Sequence, residues 1–234
     1  SLWQMLSRLD ADGYDTKGRP ASEEALFDRL RDHGTNVGNW APGALAELVA
    51  SGEAQLLPVR QYRKWFNEVP KKLRDDMVRS WGEPEQSGIM VWRNREGEAF
   101  FVFPAQRFGK VLFAPQPSRA WEQDMLKAYH DVTVPPHHQY LAFYLWLQRE
   151  YKVQAMVHVG THGTLEWLSG KEIGFTAADP SEAMVGAVPQ VYPYIVDVIG
   201  EGLQAKRRGM AAVVSHMTPP FGKAGLNPDL TALN

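Results

Sequence analysis

Residues 156–176 read MVHVGTHGTLEWLSGKEIGFT, and this stretch sets the fold class. Its apolar opening, the end of the run AMVHV (155–159), has the length and composition of a short strand, and HGTLEWL after Gly160 reads as a turn leading into a helix. Downstream the alternation continues with a helix from about Pro180, a further segment after Gly200 and the run AAVVSH (211–216). That order predicts an α/β arrangement with catalytic groups at strand ends.

Upstream, HDVTVPPHHQYLAFYLWLQREY (130–151) predicts an extended stretch closed by Pro135 and Pro136, then a helix from about His137 to Tyr151. IMVW (89–92), AFFVF (99–103) and KVLFA (110–114) are β-prone runs divided by glycine and charged residues, which predicts a small antiparallel sheet. The first eighty residues read as helical. Ser22 is placed to cap a helix with Glu23 and Glu24 in its first turn, Leu26, Phe27 and Leu30 inward and Gly34 at its end. Leu45, Leu48 and Val49 mark a second, short helix. In PKKLRDDMVRSWG, Pro70 opens a helix with Leu73, Met77 and Trp81 on one stripe and Gly82 as its stop. The expected organisation is a mainly helical lobe over 1–86 and an α/β lobe with short strands over 87–234. GEPEQSG (82–88) is the weakest junction, and a single continuous domain is the alternative.

Composition narrows the function classes. The chain has 234 residues, 44% of them hydrophobic, enough for a substantial core. A net charge of −2 without long basic blocks argues against a nucleic-acid partner. The absence of cysteine removes disulfides, thiolate zinc sites and thiol nucleophiles together. There is no apolar run of about 18 residues and no charged-then-apolar leader, so a cytoplasmic protein without membrane contact is expected.

Three groups of residues carry chemistry. His158 follows the strand run, and His162 and Glu166 are spaced i to i+4, one face of a helix. Together they form a nitrogen, nitrogen, oxygen set suited to a divalent ion or to proton transfer. A structural use is equally open: a hydrogen-bonded buried His158 and a solvated Glu166. In IGEGLQAKRRG (199–209), Glu201 and Gln204 precede Lys206, Arg207 and Arg208, which either face carboxylates or phosphates or form a solvated helix end. The third group is His130, Asp131, His137 and His138 around the proline pair, where the histidines at the helix start also suit a plain surface position.

HVGTHGTLEWLSGKE, then VPQVYPYIVDVIGEGLQAKRRGMAAVVSHMTPP, closely resembles the signature region of the large subunits of tetrapyrrole metal chelatases, the CobN/magnesium chelatase family. The likeness extends upstream through WGEPEQSG, FGKVLFAPQPSRA and YHDVTVPPHHQYLAFYLWLQREY, covering about residues 60–225. Trp167 in LEWL and the YPYIV and GEG segments resemble the cobalt branch, and Thr161 the magnesium branch. Ser169, Lys110 and the Asp197 to Glu201 segment depart from the usual proline, asparagine and DPGEG-like residues. Family subunits are several times longer, so an excised fragment or a reduced relative is expected.

The resemblance implies a subunit that binds the tetrapyrrole and hosts metal insertion, while AAA+ ATPase and von Willebrand-type partner subunits hydrolyse ATP. No GxxxxGK[ST] phosphate loop occurs here, since Glu172 follows Gly170 and Lys171. Insertion needs loss of protons from ring nitrogens, removal of water from the ion and a ring held in place. Glu166 is then the expected general base or transient metal ligand, with His158 and His162 handling metal or protons. Lys171, Lys206, Arg207, Arg208, Glu201, Gln204, His130 and His138 are expected at the substrate. The rings of Trp167, Tyr192 and Tyr194 would meet the macrocycle face. The implied reaction is cobalt insertion into hydrogenobyrinic acid a,c-diamide in cobalamin biosynthesis, with magnesium insertion into protoporphyrin IX as the alternative. Two readings of other classes stay open: a zinc hydrolase using His158, His162 and Glu166, which predicts zinc that survives dialysis, and a non-catalytic docking module for the ATPase ring.

Overall fold

The structure, a computed structural model, describes residues 2–38, 41, 43–119, 133–160, 163, 168–171, 173–195 and 199–216. The chain opens with α1 (Leu2–Ala11), α2 (Glu23–His33) and α3 (Ala44–Ala50), then β1 (Gln55–Pro58) runs directly into α4 (Val59–Glu68) and α5 (Lys71–Trp81). The Ser22 side chain accepts the Ala25 N–H at 3.2 Å, and Gly34 N–H closes α2 on the Leu30 carbonyl. Leu26 is buried, but Phe27 is 64% exposed and does not belong to the inner face expected for it. Its position next to Leu26 turns it about 100° away around the helix. Pro70 is the N-cap of α5 rather than its first helical residue, and Leu73 and Met77 are buried on one stripe.

Four short strands follow or join this part: β2 (Val91–Arg93), β3 (Ala99–Phe103), β4 (Gln106–Phe108) and β5 (Val111–Phe113) make an antiparallel sheet of order β1-β3-β2 and a β4-β5 pair. β1 and β4, like the strand at Gln190–Ile195 described below, had no counterpart in the sequence expectations. β1 pairs along its length with β3, from Gln55 opposite Phe103 to Pro58 opposite Phe100. A strand from the first 86 residues thus completes a sheet from beyond them. The main apolar cluster likewise joins Leu57, Tyr62, Phe66 and Met77 to Phe101, Tyr140, Trp146 and Met184. Residues on either side of 86/87 thus share one sheet and one core. The 82–88 segment is itself held: Pro84–Gln86 forms a capped 3-10 turn, and Arg63 of α4 bonds the carboxylates of Glu83 and Glu85.

At the centre lies α6 (His138–Trp146), with every residue buried. A helix buried on all sides needs neighbours on all sides. It receives them from β3, α4 and α7 (Pro180–Val185). It continues as a π-type turn over Leu147–Tyr151 and ends at Lys152 in the left-handed region.

The remaining strands are β6 (Met156–Val157), β7 (Gln190–Ile195) and β8 (Ala212–His216), in a parallel sheet of order β6-β7-β8. α7 lies between the first two in sequence and α8 (Ile199–Gly209) between the last two. Parallel neighbours require such crossovers, so the sheet is the α/β part of a fold that elsewhere pairs its strands antiparallel. Val185, Tyr192, Ala205 and Ala211 form a small second cluster where α8 meets the sheet.

Candidate functional site

His158 stands one residue beyond β6, where its N–H continues the parallel ladder to the Val191 carbonyl at 2.9 Å. This is the carboxyl edge of a parallel sheet, the usual place for ligand-handling side chains in α/β folds. Its ring stacks on the buried Tyr192, with centroids 4.3 Å apart and planes 23° apart. Its Nε2 lies 2.7 Å from Oε1 of Gln190.

Gly163 meets the same aromatic. A Cβ added at Gly163 would overlap Cε1 of Tyr192, so only glycine permits the approach. The Gly163 carbonyl accepts from Nε2 of Gln116 at 3.0 Å, and Gln116 also donates to the Tyr140 hydroxyl at 2.9 Å. Gly163 is thereby held against both β7 and the central helix.

Basic residues of α8 divide by helical phase. Gly202, Ala205 and Arg208, three apart, are buried, whereas Lys206 and Arg207 are exposed. The expected fork of guanidinium groups is thus not one unit: Arg208 is 3% exposed and its Nη1 donates to the Leu168 carbonyl. That bond joins the 199–209 segment to the 156–176 segment. Gln204 is half-buried.

Lys171 is exposed, and its backbone N–H donates to Oδ1 of Asp179 at 3.1 Å. Burial pushes the Asp179 carboxyl up, yet the N–H groups of Thr176 and Lys171 and the Thr176 hydroxyl outweigh it and hold the acid below its ordinary value. Gly170, at φ +99°, leaves room for this carboxylate: a Cβ there would lie 2.6 Å from Oδ1. An open cleft of 210 Å³ borders this turn, lined among others by Ser169, Gly170 and Asp179 and by Lys72 and Asp76 of α5.

His138 does not sit at an accessible site. It is fully buried, with Nε2 donating to the Gly82 carbonyl and Nδ1 facing the Tyr62 hydroxyl, each at 2.9 Å. Both ring nitrogens are committed to partners in the core. His162, Glu166, Trp167, Thr161, His130, Asp131 and Asp197 lie outside the described residues, as do the side chains of Glu201 and Tyr194. Among the described residues no three histidine, aspartate or glutamate side chains come together to hold a metal ion. Gln190, Gln116 and Asp179 had no place in the sequence expectations, because amides and a turn carboxylate carry no distinctive spacing and their partners are far away in the chain.

The protein family described as CobN/Magnesium Chelatase matches the chain over residues 1–234. The chain belongs to the CobN/magnesium chelatase family. It is 35% identical over 236 residues to the aerobic cobaltochelatase subunit CobN of a Sinorhizobium species, covering 98% of this chain and 17% of that protein. With the H-type magnesium-chelatase subunit of Chlorobaculum parvum the identity is 32% over 233 residues, 100% of this chain and 17% of the relative. The catalytic subunit of cobaltochelatase from Mycobacterium tuberculosis shares the fold with a TM-score of 0.78 at 32% identity, covering 100% of this chain and 19% of that one. This member of the family spans less than a fifth of the length of those relatives. Cobalt and magnesium branches match it at similar identity, so identity does not choose the metal.

Proposed function

We propose that the chain supplies the metal-handling and ring-holding segment of a tetrapyrrole metal chelatase large subunit. The observation that carries this reading is the bond from Arg208 of α8 to the Leu168 carbonyl, which draws the two chemistry-bearing stretches of a family-wide match into one neighbourhood. In the proposed reaction a divalent ion displaces the inner protons of the ring nitrogens, and each displaced proton must leave for the exchange to run forward. Glu166 takes a proton as general base. His158 and His162 pass protons on and receive the ion transiently. Lys171, Lys206 and Arg207, of which the described side chains are exposed, meet the acidic periphery of the macrocycle.

Cobalt is the favoured ion and hydrogenobyrinic acid a,c-diamide the favoured ring, on the strength of Trp167 in LEWL and the YPYIV and GEG segments. Thr161 and the 32% identity to an H-type magnesium-chelatase protein support protoporphyrin IX and magnesium as the second reading. AAA+ and von Willebrand-type subunits are the proposed partners that hydrolyse ATP, in keeping with the lack of a phosphate loop in this sequence. Titration of the chain with each tetrapyrrole, followed by quenching of tryptophan fluorescence, tests the choice. Saturable binding of the corrinoid, weakened several-fold in a Lys206→Ala/Arg207→Ala variant, is the expected outcome. Binding of protoporphyrin alone would move the assignment to magnesium, and binding of neither would remove ring recognition from this segment.

A further inference from the structure

We propose that Gln190 is a positioning residue that holds His158 in the tautomer with its proton on Nε2, which leaves the lone pair of the neutral ring on Nδ1. Gln190 is the first residue of β7, pairs with Met156 of β6 and is 4% exposed, so its side chain has little freedom. Its amide nitrogen donates to the Val188 carbonyl at 2.9 Å. This contact settles which end of the amide is which. Turned over, Oε1 would face the Val188 carbonyl and two acceptors would meet without a proton between them.

Oε1 therefore faces Nε2 of His158 at 2.7 Å. An amide oxygen only accepts, so the hydrogen in this contact belongs to the imidazole. The stack on Tyr192, 23° from parallel, holds the plane of the ring that makes it. A fixed partner on one ring nitrogen is the general device by which proteins decide which nitrogen of a histidine does the chemistry. Here it places the lone pair of the neutral ring on Nδ1. The tautomer is argued from the Gln190 contacts, while its use in handling a metal ion rests on the chelatase reading.

Long-range proton–nitrogen correlation spectra of the chain labelled with 15N-histidine test the assignment, with the His158 signals identified by their loss in His158→Gln. Neutral His158 is expected to show a pyrrole-type Nε2 and a pyridine-type Nδ1. In Gln190→Met the Nδ1 signal should shift toward the averaged position of two exchanging tautomers. Gln190→Glu retains an acceptor and should retain the Nε2–H pattern. A protonated Nδ1 in the neutral ring of the unsubstituted chain, or an unmoved pattern in folded Gln190→Met, overturns the proposal. Should Gln190→Met not fold, the unsubstituted chain and Gln190→Glu still decide it. The expected spectra together with failure of both tetrapyrrole titrations would remove the chelatase reading and leave the tautomer assignment in place.

Discussion

Gly163 shows how much a single residue holds in this protein. Its missing side chain lets the backbone at 163 rest on the Tyr192 ring that also stacks on His158. Gly163→Ala drives a methyl group into Cε1, so backbone or ring must move. We expect a loss of about 2 kcal/mol in urea denaturation, within the range for overpacking a close contact. An unchanged midpoint would show that Gly163 does not rest on that ring. Arg208 makes the contrary point about charged residues. Next to it, Arg207 is exposed, and the two guanidinium groups differ in role only because successive residues on a helix point about 100° apart.

Among the helices, the start of α6 carries an acid sensitivity. His137 is its N-cap: Nδ1 accepts the Tyr140 N–H at 3.2 Å, and Nε2 donates to the Ser118 carbonyl at 2.6 Å. Burial lowers the His137 pKa to about 4 against a smaller upward effect of the Ser118 carbonyl, and burial lowers His138 also. Protonating Nδ1 would in addition abolish the cap. Both rings are neutral in the fold, so as pH falls below about 6.5 the unfolded chain binds protons first. Stability therefore falls with pH between about 6.5 and 4, and His137 contributes about 3 kcal/mol of that fall. Denaturant midpoints across this window check the sign, and His137→Asn, which keeps a capping oxygen, should flatten the slope.

For the molecule as one body, the sheet β1-β3-β2 and the core from Leu57 to Met184 tie the first third of the chain to the rest. Leu57 is fully buried in that core and pairs with Phe101 across the sheet. Leu57→Ala is expected to cost about 3 kcal/mol. Circular dichroism and tryptophan fluorescence should report one shared unfolding transition, because both parts lose the same core. Two separated transitions would instead support two lobes divided at residue 86.

Period, caps and turn residues were legible locally. The Ser22 cap, the Leu73 and Met77 stripe, the aromatic-rich α6 and the runs of β6 and β8 follow from neighbours within a few residues, and so did the resemblance of the HVGTHGTLEWLSGKE stretch. β1 could not be read in this way, since QLLP becomes a strand only because β3 lies beside it. Burial of His138, the inward turn of Arg208 and the grip of Gln190 on His158 were equally out of reach. From the order of amino acids follow most of the elements and the family pattern they share, because helix and turn preferences act over one or two turns of chain. Which polar side chains face a ligand and which serve the core is settled by the folded arrangement, because burial and hydrogen-bond partners come from residues distant in the chain and adjacent in space.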